Sequence, residues 1–112
     1  FSITVPGTPQ AFIDMKERWG NDKFSLASLL EPAIALAKDG FVTSPLSSLL
    51  WKKREALLKT SINGSDLLID GRAPEPGQIF TNPLLAQTLK RLGEQKRNAF
   101  YSSQSPLAQS IV

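Results

Sequence analysis

Apolar positions in this chain recur at helical spacing over most of its length and lose that period in one internal stretch. Phe12, Met15 and Trp19 share one face of a segment from about Pro9 to Trp19, with Gly20 as its stop. After Ser25, the residues Leu26, Leu29, Leu30, Ala33, Ile34 and Ala37 form a stripe that stays in phase across Pro32. The pattern predicts one helix with a kink or tight junction at that proline and an end at Gly40. A third helix is predicted from Pro45 to about Lys59, with Leu46, Leu49, Leu50 and Leu57 inside and Lys52, Arg54 and Lys59 in water. Its basic end suits the negative pole of the helix dipole.

Local start signals agree with this division. Thr8-Pro9, Ser44-Pro45, Asn82-Pro83 and Ser105-Pro106 each place a proline directly after a good N-cap residue, so half of the eight prolines announce helices. In the helix after Asn82, Leu85, Thr88, Leu89 and Leu92 fall at i, i+3, i+4 and i+7, and Gly93 is expected to close it in the left-handed conformation. A short turn of helix around Ala99 to Tyr101 follows, in which Tyr101 is expected to act as a latch with its ring buried and its hydroxyl on a polar partner. A last helix is predicted from Pro106 to beyond Val112, and the terminal Ile111-Val112 reads as an element cut midway. Between Thr60 and Thr81 the helical period gives way to Asn63-Gly64, Asp70-Gly71 and Pro74-x-Pro76-Gly77, with Leu67, Leu68 and Ile69 as the only apolar run. This segment, 60–81, is expected to be one long turn-rich loop with a short extended piece.

Composition narrows the function classes. A chain of 112 residues fits a single domain, with enough length to bury roughly 65% of its unfolded surface. Thirteen basic and ten acidic side chains leave an excess of only three positive charges, too few to argue for nucleic acid. There is no Cys and no His, so disulfides, thiolate sites and the commonest zinc ligands are excluded from this segment. No apolar run is long enough to span a bilayer, and the first residues are not a charged-then-apolar export signal.

Each sharper motif meets a plainer reading. Lys52-Lys53-Arg54 beside Trp51, with Lys90-Arg91 and Lys96-Arg97, could pair cations with a stacking aromatic, but these cations fall on solvent faces of their helices. Asp66, Asp70 and Glu75 lack the alternate spacing and closing Glu of a calcium loop and read as turn carboxylates. Arg72 beside Pro74 reads as a tie from the loop to neighbouring carbonyls, with a place at a substrate cleft as the alternative. Asn63-Gly64-Ser65 fits the N-glycosylation pattern, which matters in a secreted eukaryotic protein. No phosphate-binding glycine loop, paired-carboxylate site or Ser-His-Asp set is present, so no catalytic, cofactor-binding or metal residue is assigned.

The string Pro76-Gly77, Phe80-x-Asn82-Pro83-x-Leu85-Ala86-x-Thr88-Leu89 and Ala99-Phe100-Tyr101 resembles the signature region of the gamma-glutamyltransferases (gamma-glutamyl transpeptidases). Val5-Pro6-Gly7, the helix through Leu29, Glu31, Pro32, Ala33, Ile34, Leu36 and Ala37, and the following Gly40, Phe41 and Ser44 extend the resemblance over nearly the whole chain. Ala11 stands where the family usually has Gly, and Ser102 to Pro106 replaces the Gly after Phe-Tyr. The resemblance implies a mostly α-helical segment of an N-terminal-nucleophile hydrolase whose complete fold is an αββα sandwich. On that basis, residues 1–112 form a single middle segment of the large subunit. The family's nucleophile is a Thr freed by self-cleavage, with its own α-amine as base. None of Thr4, Thr8, Thr43, Thr60, Thr81 and Thr88 carries the Thr-His pair of that processing site, and the substrate-binding Arg lies upstream in the family. The segment is therefore expected to be scaffold, without catalytic residues of its own, in a cofactor-free enzyme that cleaves gamma-glutamyl amides such as glutathione and passes the acyl group to water or an amino acid or peptide acceptor. Its partners by resemblance are the gamma-glutamyl substrate, the rest of the large subunit and the small subunit, with no nucleic acid and no membrane contact, in a periplasmic, secreted or cell-surface protein. A related acylase of the same superfamily, or a non-catalytic helical interaction module, are the alternatives.

Overall fold

The computed structural model describes residues 5–111. The order of elements is α1 (Thr8–Trp19), α2 (Leu26–Asp39), β1 (Phe41–Val42), α3 (Pro45–Thr60), a 3-10 turn (Gly64–Leu67), β2 (Ile79–Phe80), α4 (Pro83–Gln95), α5 (Arg97–Tyr101) and α6 (Pro106–Ile111). The fold is mostly helical, as the resemblance implies. Two compact units emerge, one from the chain up to Ile34 together with the chain from Gln87 onward, the other from Ala35 to Ala86. The expected end of the last helix beyond Val112 lies outside the described residues.

The first unit is built around Ile13, Leu26 and Leu92, with Leu30 and Phe100 packed against them. Ala99, with no accessible surface, lies at the middle of α5, and the Ser105 hydroxyl donates to its carbonyl at 2.6 Å. Gly93 is not the left-handed stop predicted for it. It lies inside α4, buried, where a Cβ would stand 2.8 Å from the Ala27 Cα. Its small size lets α4 approach α2, and the positive φ falls instead on Lys96. Helix α1 also starts otherwise than predicted. Gly7 occupies the cap position with no side-chain hydrogen bond, so Thr8 is the first helical residue and Pro9 the second. Pro32 does not divide α2, which runs as one element with Ser25 Oγ accepting from Ser28 N at 3.0 Å.

The second unit gathers on Phe80, buried in β2. Trp51 of α3 packs on it with ring centroids 4.8 Å apart, and Phe41 meets it edge-on at 5.9 Å. The strands are antiparallel, with Phe41 opposite Phe80 and Val42 opposite Ile79. Two further bonds extend the pairing, Thr43 N to Gln78 O and Gly77 N to Thr43 O, both 2.8 Å. Gly40 turns the chain from α2 into β1 at φ +98°, where a Cβ would strike Ile79 Cγ2 at 2.4 Å, so both backbone and space require glycine. The Asn82 amide donates to the Ala37 carbonyl at 2.7 Å. Residues 60–81 hold the turns and short extended structure expected of them, as the paired Ile69 and Arg72 about Asp70-Gly71 and as β2, and the 3-10 turn adds further order. Asp70 and Gly71 both take positive φ, the conformation a two-residue hairpin turn needs.

Two caps follow the sequence expectation. Ser44 Oγ accepts from Ser47 N at 3.1 Å, and Asn82 Oδ1 accepts from Leu85 N at 2.9 Å, with Pro83 opening α4. Asn82→Ala is expected to cost about 1 kcal/mol, whereas Thr8→Ala, which removes no cap, should leave stability nearly unchanged. Urea unfolding of the two variants beside the parent checks the difference.

Candidate functional site

Three surfaces among the described residues bear on function. The first is a polar cleft of about 440 Å³ in the second unit, lined by Ile69, Asp70, Arg72, Ala73, Glu75 and Gln78. Glu55 of α3 anchors its wall. One carboxylate oxygen accepts from the Ala73 amide at 2.9 Å, and the other pairs with Lys59 one turn later on α3. The Ala73 N–H, more than Lys59, holds the Glu55 carboxyl below the usual glutamate range. Glu75 meets Lys52 at 2.6 Å and offers its own amide to the Gln78 side chain at 3.0 Å, which fixes the turn before β2. These bonds tie the loop back onto α3, with Glu55 and Lys52 supplying the ties that had been expected from Arg72.

Glu55 gives a pH prediction with a definite sign. A carboxylate whose folded-state pKa is depressed stabilises the fold above its unfolded pKa, and that contribution is lost as pH falls through the folded value. Melting temperature followed from about pH 7 to about pH 3 should therefore fall more steeply in the parent than in Glu55→Gln, with the two converging in acid.

The second surface is an ion cluster in the first unit. Arg97, at the start of α5, donates from Nη1 to both Glu17 oxygens at 2.9 Å and from Nη2 to Asp14 Oδ1 at 2.6 Å. Glu17, and then Asp14, raise the guanidinium above its ordinary pKa, so this cation is committed to its own carboxylates. Trp51, the aromatic of the other basic cluster, is held against Phe80. Trp51 thus keeps its ring against Phe80 and Arg97 is engaged by two carboxylates, which differs from the open ring and unengaged cation that strand binding uses. Among the described residues no three Asp or Glu side chains converge into a metal cage.

The third surface is apolar. Phe12, Met15, Trp19, Leu26, Leu29 and Leu30 line an open groove of about 420 Å³ between α1 and α2, with Trp19 76% and Leu29 53% exposed. Phe12, Met15 and Trp19 do share one face of α1, as their spacing predicts, but that face is open, and the buried residues of the helix are Pro9 and Ile13. Leu46, Leu49, Leu50 and Leu57 of α3 are likewise half or more exposed, while Ser48 is buried. Tyr101 is 40% exposed, so its ring is not the buried latch expected, although its hydroxyl does donate to the Pro6 carbonyl. Isolated exposed leucines are ordinary, whereas exposed apolar faces on more than one helix of a chain of this size are the kind of surface that marks an interaction site.

Solved structures that follow the same chain path include gamma-glutamyltranspeptidases and an acylase, members of the N-terminal-nucleophile hydrolase class. A cephalosporin acylase from Bacillus halodurans superposes with a TM-score of 0.85 at 31% identity, covering 97% of this chain and 21% of that one. The gamma-glutamyltranspeptidase of Helicobacter pylori has the same fold, with a TM-score of 0.88 at 24% identity over 99% of this chain and 31% of its own. Within that class the sequence profile of the gamma-glutamyltranspeptidases matches residues 1–112, and the chain belongs to that family. The glutathione hydrolase-like YwrD proenzyme of Bacillus subtilis strain 168 is 36% identical over 112 residues, 99% of this chain and 21% of the relative. The chain thus spans about a fifth of the length of the curated relatives it matches. Among the described residues no helix is long and apolar enough to cross a membrane.

Proposed function

We propose that this chain is a scaffold segment in the large subunit of a self-processing enzyme that cleaves gamma-glutamyl amides, such as glutathione, and hands the acyl group to water or to an amino acid or peptide acceptor. The observation that carries the proposal is the family match over residues 1–112 combined with the two open apolar faces. A helical layer that flanks a larger sandwich must leave one face of its helices apolar, and the α1–α2 groove and the leucines of α3 have that character. In this reading the nucleophilic Thr, the substrate-binding Arg and all contacts to substrate belong to other parts of the polypeptide. The residues of this segment act only by holding their neighbours in place.

A second reading rests on the acylase likeness, whose identity to this chain is higher than that of the Helicobacter pylori transpeptidase. Its substrate would be the side-chain amide of a cephalosporin. One experiment separates the two. The complete protein is expressed, its conversion into two subunits is followed on a denaturing gel, and the product is assayed on glutathione, a gamma-glutamyl anilide and a glutaryl-cephalosporin. Cleavage into subunits with release of glutamate supports the first reading, release of the cephalosporin side chain alone supports the second, and an unprocessed, inactive chain overturns both.

A further inference from the structure

We propose that Asn63-Gly64 is a latent deamidation site, held inert by the turn at the end of α3 and released when that turn opens. Four asparagines lie among the described residues, at 21, 63, 82 and 98, and Asn63 alone precedes glycine. The reaction needs the amide nitrogen of the following residue as nucleophile. It attacks the side-chain carbonyl carbon, ammonia leaves with the side-chain nitrogen, and a five-membered imide forms. Water then opens the ring at one carbonyl to give aspartate or at the other to give isoaspartate. A glycine after Asn leaves that approach unobstructed and the backbone free to rotate into it. Asn82 has no such route, because the nitrogen of Pro83 bears no hydrogen.

In the folded protein the nucleophile is withheld. Asn63 is exposed at φ +62° and ψ 7°, but Gly64 after it is buried. The Gly64 N–H donates to the Ser61 carbonyl at 3.1 Å, so its nitrogen is engaged away from the Asn63 side chain. A Cβ on Gly64 would stand 1.9 Å from the Leu58 carbonyl oxygen, so the Gly64 backbone is wedged against the last turn of α3 and has no room to swing. The turn is further fixed by Asp66 N donating to Asn63 O at 3.2 Å, and by Ser61 N donating to Leu57 O and Leu58 O at 3.0 and 3.3 Å. Ring closure therefore requires breaking the Ser61–Gly64 bond and moving Gly64 off Leu58, which is a local opening of the chain between Ser61 and Leu67. Once formed, isoaspartate routes the main chain through its Cβ, and the left-handed corner at 63 cannot be rebuilt. The isoaspartate product is a lasting mark of an opening that went on to ring closure, and either product adds one negative charge.

The test compares the full-length protein carrying this segment with a synthetic peptide of residues 60–72, incubated in the same mildly alkaline buffer. Trypsin cleavage after Lys59 and Arg72 releases the same peptide from the protein, and it contains one Asn and no Gln, so the mass gain of replacing an amide with an acid reports Asn63 alone. The folded protein is expected to convert slower than the free peptide, on the order of tenfold or more, with a rate that climbs towards the peptide's in urea below the unfolding midpoint. Conversion in the folded protein at the peptide's rate would overturn the proposal, as would a slow rate that urea leaves unchanged. Neither result depends on the enzyme's substrate.

Discussion

Gly93→Val is expected to destabilise the first unit by about 3 kcal/mol, and Gly93→Ala by roughly half as much. The Cβ of either residue would stand 2.8 Å from the Ala27 Cα and 3.1 Å from its Cβ, and a backbone atom in the first turn of α2 cannot rotate aside as the end of a flexible side chain can. The helices must separate, which pulls Leu92 away from Ile13 and Leu26. Helix propensity works the other way, since Gly costs about 1 kcal/mol against Ala inside a helix. A net loss for Gly93→Ala would therefore show that close approach outweighs propensity here, whereas a gain in urea midpoint would show that α2 and α4 can move apart at little cost.

The second large effect concerns the groove between α1 and α2. Replacing Trp19 and Leu29 together by Asp should leave the 112-residue chain on its own no less soluble, because both side chains already face solvent in it. In the complete protein, on the function proposed above, the same double change should sharply reduce the yield of processed, active protein. If the groove seats another part of the polypeptide, two carboxylates without partners would be buried there, at several kcal/mol each. The paired measurement is size-exclusion behaviour of the isolated chain and subunit formation in the complete protein. Full processing of the double variant would remove the argument that this face is covered, and the interaction-module alternative would gain by it.

How far the sequence could be read depended on the range of the interaction involved. The Asn82 cap and the Ser44 cap are contacts within three residues, and both are present. The helical stripes were legible as period but not as burial, because a leucine is buried only if something lies over it, and on α3 Ser48 faces inward while Leu46, Leu49, Leu50 and Leu57 stay open. Gly93 was ambiguous in principle. A glycine that ends a helix and one that admits a neighbouring helix look identical in one sequence, and only the Ala27 contact decides. Strands of two residues have no periodic signal, so the pairing of Phe41-Val42 with Ile79-Phe80 could not be seen. The polar cleft was hidden for the same reason. Its anchor joins Glu55 to an amide eighteen positions away, and nothing in the residue types specifies that distance.

The bond from Asn82 to Ala37 and the short ladder at Phe41 and Phe80 bring the two ends of the second unit side by side. A module closed at its neck in this way is topologically an insertion. Residues can be added to or removed from the path between Thr43 and Gln78 without changing where the chain leaves α2 or enters α4, because the neck fixes both points. Variation in length among relatives should therefore collect beyond the neck. The same geometry makes the turn at Asp70-Gly71, exposed and outside the neck, a suitable place to graft a reporter peptide or to open the chain for circular permutation.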